Sequence, residues 1–229
     1  GPFHLEGKFP TVGCLGVKTM QKQCLKGDLP PLMHERWGLA IDLLPNFTPA
    51  LSRREVTLHG DFHCANILIQ GTGVPEGQGN FRLFAIDFEF ANVGRAEFDL
   101  GYAFVVNRAL LNNAANKRAF VGGYLKVVSS LSSAKSSDDD PEFETEVEHL
   151  LVDCELATLK AWPPNESVGV PETDGPTYEA LLKRLAEHCS TLGAGSLTNP
   201  DDAQQAATLR EELLNKGAAG LLREWHLKS

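Results

Sequence analysis

His59-Gly60-Asp61-Phe62-His63-Cys64-Ala65-Asn66, followed downstream by Asp87-Phe88-Glu89, decides the reading of this 229-residue chain. Asp61, Asn66 and Asp87 are three oxygen-bearing side chains at a spacing suited to metal-assisted phosphoryl transfer. An Asp in a loop accepts the proton of a substrate hydroxyl, and an Asn shortly after it, with a second Asp beyond a hairpin, holds the Mg²⁺ ions that neutralise ATP phosphates. Singly, Asp and Asn in loops are more often turn formers or helix caps. The flanks change that weighting. Val56-Thr57-Leu58 is a short β-prone run entering the loop, Asn66-Ile67-Leu68-Ile69 is another leaving it, and Phe81 to Asp87 is a third that delivers Asp87 at a strand end. Residues 71–80 between the last two are dense in turn formers. The expected order is strand, catalytic loop, strand, hairpin turn, strand, metal ligand, and the hairpin returns Asp87 to the side of Asp61 and Asn66.

The run His59 to Leu68 resembles the H-G-D-x-x-x-x-N-I-L catalytic loop of the aminoglycoside phosphotransferase and choline kinase-like superfamily. Ile86-Asp87-Phe88-Glu89-Phe90-Ala91, then Gly94, then Phe98-Asp99-Leu100-Gly101, is similar to that superfamily's second motif, in the same order and at the same offsets. The resemblance implies that Asp61 is the catalytic base, with His59 beside it in the loop, and that Asn66 and Asp87 are Mg²⁺ ligands. It implies that His59 and Asp99 brace the loop and that Glu89 supports the site. It also implies ATP as co-substrate, Mg²⁺ as cofactor, and the hydroxyl of a small molecule as acceptor, such as an aminoglycoside, an amino alcohol or a sugar-like compound. His63 has two readings, a place near the transferred phosphoryl group or a structural place in the loop, and the structural one is preferred. Glu89 stands where eukaryotic protein kinases have Gly, and no Ala-Pro-Glu segment follows, which argues against a protein substrate.

The fold class that follows is α+β: a mainly helical kinase-like C-terminal lobe with a small β-hairpin element carrying the catalytic loop, one lobe over residues 1–229. Upstream of His59 the sequence has no Val-Ala-Ile-Lys-like strand and no phosphate loop, and it contains no Gly-x-x-x-x-Gly-Lys-Ser/Thr. A fragment that is a poor kinase by itself is therefore expected, with a non-catalytic binding module as the competing class. Acceptor-binding residues have no readable code, but Asp153, Glu155, Trp162 and Glu166, in the helical region, are candidates for a substrate cation. Their plainer reading is as helix charges and a packing aromatic.

A net charge of −9 argues against a nucleic-acid partner and leans toward cationic acceptors. No apolar run reaches bilayer length and no signal-peptide pattern opens the chain, so no membrane partner and a cytoplasmic location are expected. The five cysteines, Cys14, Cys24, Cys64, Cys154 and Cys189, are odd in number and widely spaced, which reads as free thiols; Cys64 lies inside the catalytic loop. Helical patterns are expected over 32–44, 97–112, 116–131, 141–162, about 176–189 and 201–225, the last interrupted near Gly217 or Gly220. Residues 129–140, rich in Ser and Asp, read as a mobile surface loop. Arg95 is expected to pair with Asp99 or another acid.

Overall fold

The computed structural model describes residues 43–44, 55–71, 81–131, 141–161, 175–192 and 200–229. Within them the fold is α+β and mainly helical, as expected. Four short strands come first: β1 (Glu55–Leu58), β2 (Ile67–Gly71), β3 (Phe81–Ala85) and β4 (Asn92–Arg95). Helices follow: α1 (Ala96–Val106), α2 (Ala114–Leu131), α3 (Pro141–Ala161), α4 (Gly175–Leu192) and α5 (Pro200–Leu227).

The strands form two nested antiparallel ladders. β2 pairs with β3 from Ile67↔Ala85 to Gly71↔Phe81, the hairpin read from the sequence. β1 pairs with β4 from Glu55↔Arg95 to Leu58↔Asn92, a ladder that the sequence reading does not anticipate. The outer ladder closes the base of an excursion whose far end is the inner hairpin. Two connectors, residues 59–66 and 86–91, therefore run side by side between the ladders, and these carry the motif residues.

α3 is the central helix. Its residues Leu150 to Ala157 are all buried, which a helix covered on opposite faces requires. On one side Phe143, Val147, Leu150, Leu151 and Cys154 join Leu100, Ala103 and Phe104 of α1 and Val121 and Leu125 of α2. On the other side Val152, Leu156 and Leu159 join Leu181, Leu182 and Leu185 of α4 and Leu213, Leu221 and Trp225 of α5. α1 packs on both the outer ladder and α3, so the core holds the site's main support in place.

Helix limits depart from the sequence reading for local reasons. α1 ends at Val106 rather than near 112, because Asn107 leaves helical geometry (φ −104°, ψ 38°) and its side-chain Oδ1 accepts from the Cys64 N–H at 2.9 Å. α2 starts two residues before the expected Asn116, and the Asn113 side chain caps it by accepting from Asn116 N–H at 2.9 Å. It ends at Leu131, as the helical pattern expects, so residues 129–131 belong to the helix and not to the loop read over 129–140; 132–140 lie outside the described residues, as do Trp162, Glu166 and the expected helix over 32–44 apart from Leu43 and Leu44. α5 breaks at Gly217 (φ 74°, ψ 159°), a left-handed φ that glycine adopts without the Cβ penalty, whereas Gly220 stays helical.

That break is tied to a buried ion pair. In a regular helix the Ala218 N–H would donate to the Leu214 carbonyl. Here Ala218 N–H donates to Glu155 of α3, and the Leu214 carbonyl instead accepts from Lys117 Nζ of α2 at 3.0 Å. Lys117 and Glu155, both buried, also pair with each other. The ion pair thus takes up both ends of the helical hydrogen bond that the kink removes, and it joins α2, α3 and α5.

Candidate active site

Asp99, in the first turn of α1, organises the catalytic loop. Its Oδ2 accepts from the His59 N–H at 2.6 Å and its Oδ1 from the Gly60 N–H at 3.0 Å. Burial pushes the Asp99 pKa up, and the two backbone donors pull against that shift. Of the two partners expected for Arg95, Asp99 or another acid, it takes the second, pairing with Glu97. The His59 ring then spans the two connectors. Its Nε2 lies 2.8 Å from the Ile86 carbonyl and its Nδ1 accepts from the Asp61 N–H at 3.4 Å, which sets the proton on Nε2. The ring also packs on Phe88, with centroids 4.6 Å apart. His59 is therefore a brace in this structure.

Gly60 has φ +82°, and a Cβ built there would lie 2.2 Å from the Phe90 carbonyl oxygen. The second connector passes too close for any side chain. Gly60→Ala is expected to cost at least about 1–2 kcal/mol from the left-handed backbone alone, plus the displacement of Phe90. Urea unfolding of the variant measures this, and a midpoint equal to the wild type's would refute the tight approach of the two connectors.

Asp61 follows, with its side chain about a quarter exposed. Three donors surround the carboxylate: Tyr102 OH at 2.8 Å from Oδ1, His63 Nε2 at 3.3 Å from Oδ2, and Asn66 Nδ2 at 3.4 Å from Oδ2. His63 Nδ1 accepts from the Ala65 N–H at 3.2 Å, capping the 3₁₀ turn Cys64–Asn66, so the neutral ring carries its proton on Nε2 toward Asp61. His63 thus has a structural place in the loop while touching the motif Asp.

Asn66 is buried, and its amide nitrogen also donates to the Asp61 carbonyl at 3.0 Å, which leaves Oδ1 as its open acceptor. Its own carbonyl accepts from the Ile86 N–H at 2.9 Å. Ile86 is thereby bonded to both ends of the catalytic loop, to His59 and to Asn66, and Asp87 is the next residue. Asp87 is exposed and adopts φ +65°, and it is the non-glycine residue with left-handed φ among those described. Asp tolerates that region better than most residues, and such backbone strain gathers at functional sites. Glu89 is exposed in the turn closed by Ala91 N–H to Phe88 O, and it makes no hydrogen bond to the loop.

The acceptor candidates fare differently. Glu155 is fully buried and taken up by Lys117, and Asp153 is buried in α3, so neither is the exposed helix charge of the plainer reading. Tyr102 was not a sequence candidate. The one signal that could have found it is its position, three residues after Asp99 on the same helical face. Of the cysteines, Cys64 is exposed while Cys154 and Cys189 are buried, all three as free thiols.

Among the described residues, no three His, Cys, Asp or Glu side chains gather into a metal site, and no helix is long and apolar enough to cross a membrane. Residues 18–126, a little under half of the chain, match the model of the phosphotransferase enzyme family, a match that agrees with the superfamily resemblance and implies a phosphotransferase-type enzyme. The match begins well upstream of the catalytic loop, in a region where the sequence reading found no motif. No curated protein and no solved structure matches the chain.

Proposed function

We propose that this chain carries the catalytic segment of an ATP-dependent kinase that phosphorylates a hydroxyl of a small molecule. The observation that supports this most is the double tether of Ile86 to His59 and Asn66, which sets the Asp87 backbone beside the loop bearing Asp61. In this reading the acceptor hydroxyl lies against the Asp61 carboxylate. The acceptor oxygen bonds to the γ-phosphorus as the bond from that phosphorus to the ADP oxygen breaks, and the hydroxyl proton passes to Asp61. The carboxylate is held in direction by the Tyr102 hydroxyl and the Asn66 amide, so its main work is orientation, which suits a loose transition state in which the nucleophile needs little deprotonation.

Asn66 Oδ1 and the Asp87 carboxylate fit Mg²⁺ by donor type, since both are the hard oxygens it takes. When bound, Mg²⁺ neutralises charge on the transferred phosphoryl group. The residues' own contribution is to hold these two oxygens: Asn66 through its amide bonds to Asp61, Asp87 through the tethered Ile86.

Asp87→Ala is expected to lose Mg²⁺-dependent ATP binding, measured by calorimetric titration of the full-length protein with ATP in the presence and absence of Mg²⁺. Unchanged Mg²⁺-dependent affinity would remove Asp87 from the ligand set. A wild-type protein that binds no Mg·ATP would leave the non-catalytic binding module as the reading.

A further inference from the structure

We propose that Tyr102 is a positioning residue that fixes the Asp61 carboxylate so that its Oδ1 receives the acceptor hydroxyl. This rests on the phosphotransferase reading of Asp61 given above. A carboxylate oxygen has two lone pairs in its plane. Oδ2 accepts from Asn66 Nδ2 at 3.4 Å and faces the His63 ring, whose Nε2 lies 3.3 Å away. On Oδ1 one is taken by the Tyr102 hydroxyl at 2.8 Å. Oδ1 keeps its second lone pair, on the side away from His63 and Asn66, and the side chain is open enough to solvent for a substrate to reach it. Without Tyr102 both oxygens' directions would be set from the Oδ2 side alone, through the two longer contacts.

The placement of Tyr102 makes this contact a fixed one. Asp99 and Tyr102 lie one turn apart on α1, and the first holds the loop backbone at His59 and Gly60 while the second holds the side chain at Asp61. α1 in turn is buried against α3 through Leu100, Ala103 and Phe104. The carboxylate is thereby referred to the helical core rather than to the loop alone. Burial, then the hydrogen bond to Asp61 and the Asp61 charge, push the Tyr102 pKa up to about 12, so the phenol remains a donor throughout the range in which the protein works.

Two measurements test the proposal. The first follows tyrosinate absorbance with pH, Tyr102 being the signal missing from Tyr102→Phe, with circular dichroism confirming that the fold persists. In Asp61→Asn the Tyr102 ionisation should move down from about 12 toward, without reaching, the ordinary value of 10. An unmoved ionisation overturns the contact. The second uses the full-length protein and Mg·ATP, scoring ADP release to water as acceptor. Tyr102→Phe should lower kcat about tenfold or more, the loss typical of one hydrogen bond to a charged group, while KM for ATP stays as in the wild type. If Tyr102→Phe turns over as the wild type does while Asp61→Asn is inactive, Tyr102 has only a packing role and the proposal fails alone. If Asp61→Asn keeps wild-type turnover, or the wild type releases no ADP, the phosphotransferase reading fails and this proposal with it.

Discussion

Asp61→Asn is expected to remove about 10²- to 10⁴-fold of the phosphotransfer rate, the usual contribution of a positioned acid–base group, while Mg·ATP binding is retained. The substitution is nearly isosteric, so the fold is not at issue. Its effect lies in hydrogen-bond polarity. An Asn carbonyl can still accept from the Tyr102 hydroxyl, but the amide nitrogen then faces two other donors, His63 Nε2–H and Asn66 Nδ2–H. If the amide turns over to relieve that clash, its nitrogen faces Tyr102 and the acceptor hydroxyl instead. In either orientation the group cannot take a proton, and in the turned-over one the open acceptor direction on Oδ1 is lost as well. Rapid-quench single-turnover measurement separates this chemical defect from binding, which calorimetry reads independently. Near-normal turnover in Asp61→Asn would exclude it as the base.

The second large effect concerns stability. Lys117→Met is expected to cost about 3–5 kcal/mol at neutral and alkaline pH, the range for removing one partner of a buried ion pair. Two groups lose a partner together: the Glu155 carboxylate and the Leu214 carbonyl freed by the kink in α5. The cost should depend on pH. Burial pushes the Glu155 pKa up to about 7, against the charge and N–H of Lys117 and the N–H of Ala218, from an ordinary value of 4.5. Because the folded value is the higher one, the folded state holds a proton that the unfolded chain has released between those two limits. The contribution of this group to stability is therefore full below about pH 4.5 and is lost as pH rises through 7, in total roughly 3 kcal/mol. A protonated Glu155 tolerates the loss of Lys117 better than a charged one. Urea midpoints should thus separate wild type from Lys117→Met less at pH 5 than at pH 8, and Glu155→Gln should flatten the wild-type decline over that interval. Equal separation at both pH values would show that Glu155 keeps its charge throughout.

The inner hairpin was legible because both strands are continuous β-prone runs and the turn between them is dense in Gly, Pro and Asn. The spacing of the motif residues has a structural reason: Asp61 and Asn66 lie on one connector between the two ladders, Asp87 on the other, and Asp99 in the helix that holds the first. The outer ladder was not legible. Asn92-Val93-Gly94-Arg95 is too short and too mixed to announce a strand, and what makes it one is pairing with residues far upstream. Tyr102 and Asn107 were hidden for a related reason. A helical periodicity shows which face is apolar, but not that the middle and the C-terminal end of α1 lie against the loop 59–66. The Lys117–Glu155 pair spans 38 positions and depends on a break in a third helix, so no local window contains it. Helix ends were misjudged where an Asn side chain, at 107 or 113, took over from apolar periodicity.

The nesting of the two ladders also sets an order of assembly. Closing the inner pair gathers in only residues 72–80, whereas closing the outer pair at Leu58 and Asn92 gathers in the whole stretch 59–91. Chain entropy lost on closure grows with the length enclosed, and a preformed hairpin shortens the flexible part of the longer loop. Local hairpins form in microseconds, ahead of pairings between distant segments. The connectors have no ladder of their own; they are shaped by Asp99, His59 and Gly60 only once both ladders and α1 are in place. The two connectors are then expected to be the last of their region to take form during folding, with a geometry inherited from the pairings on either side of them.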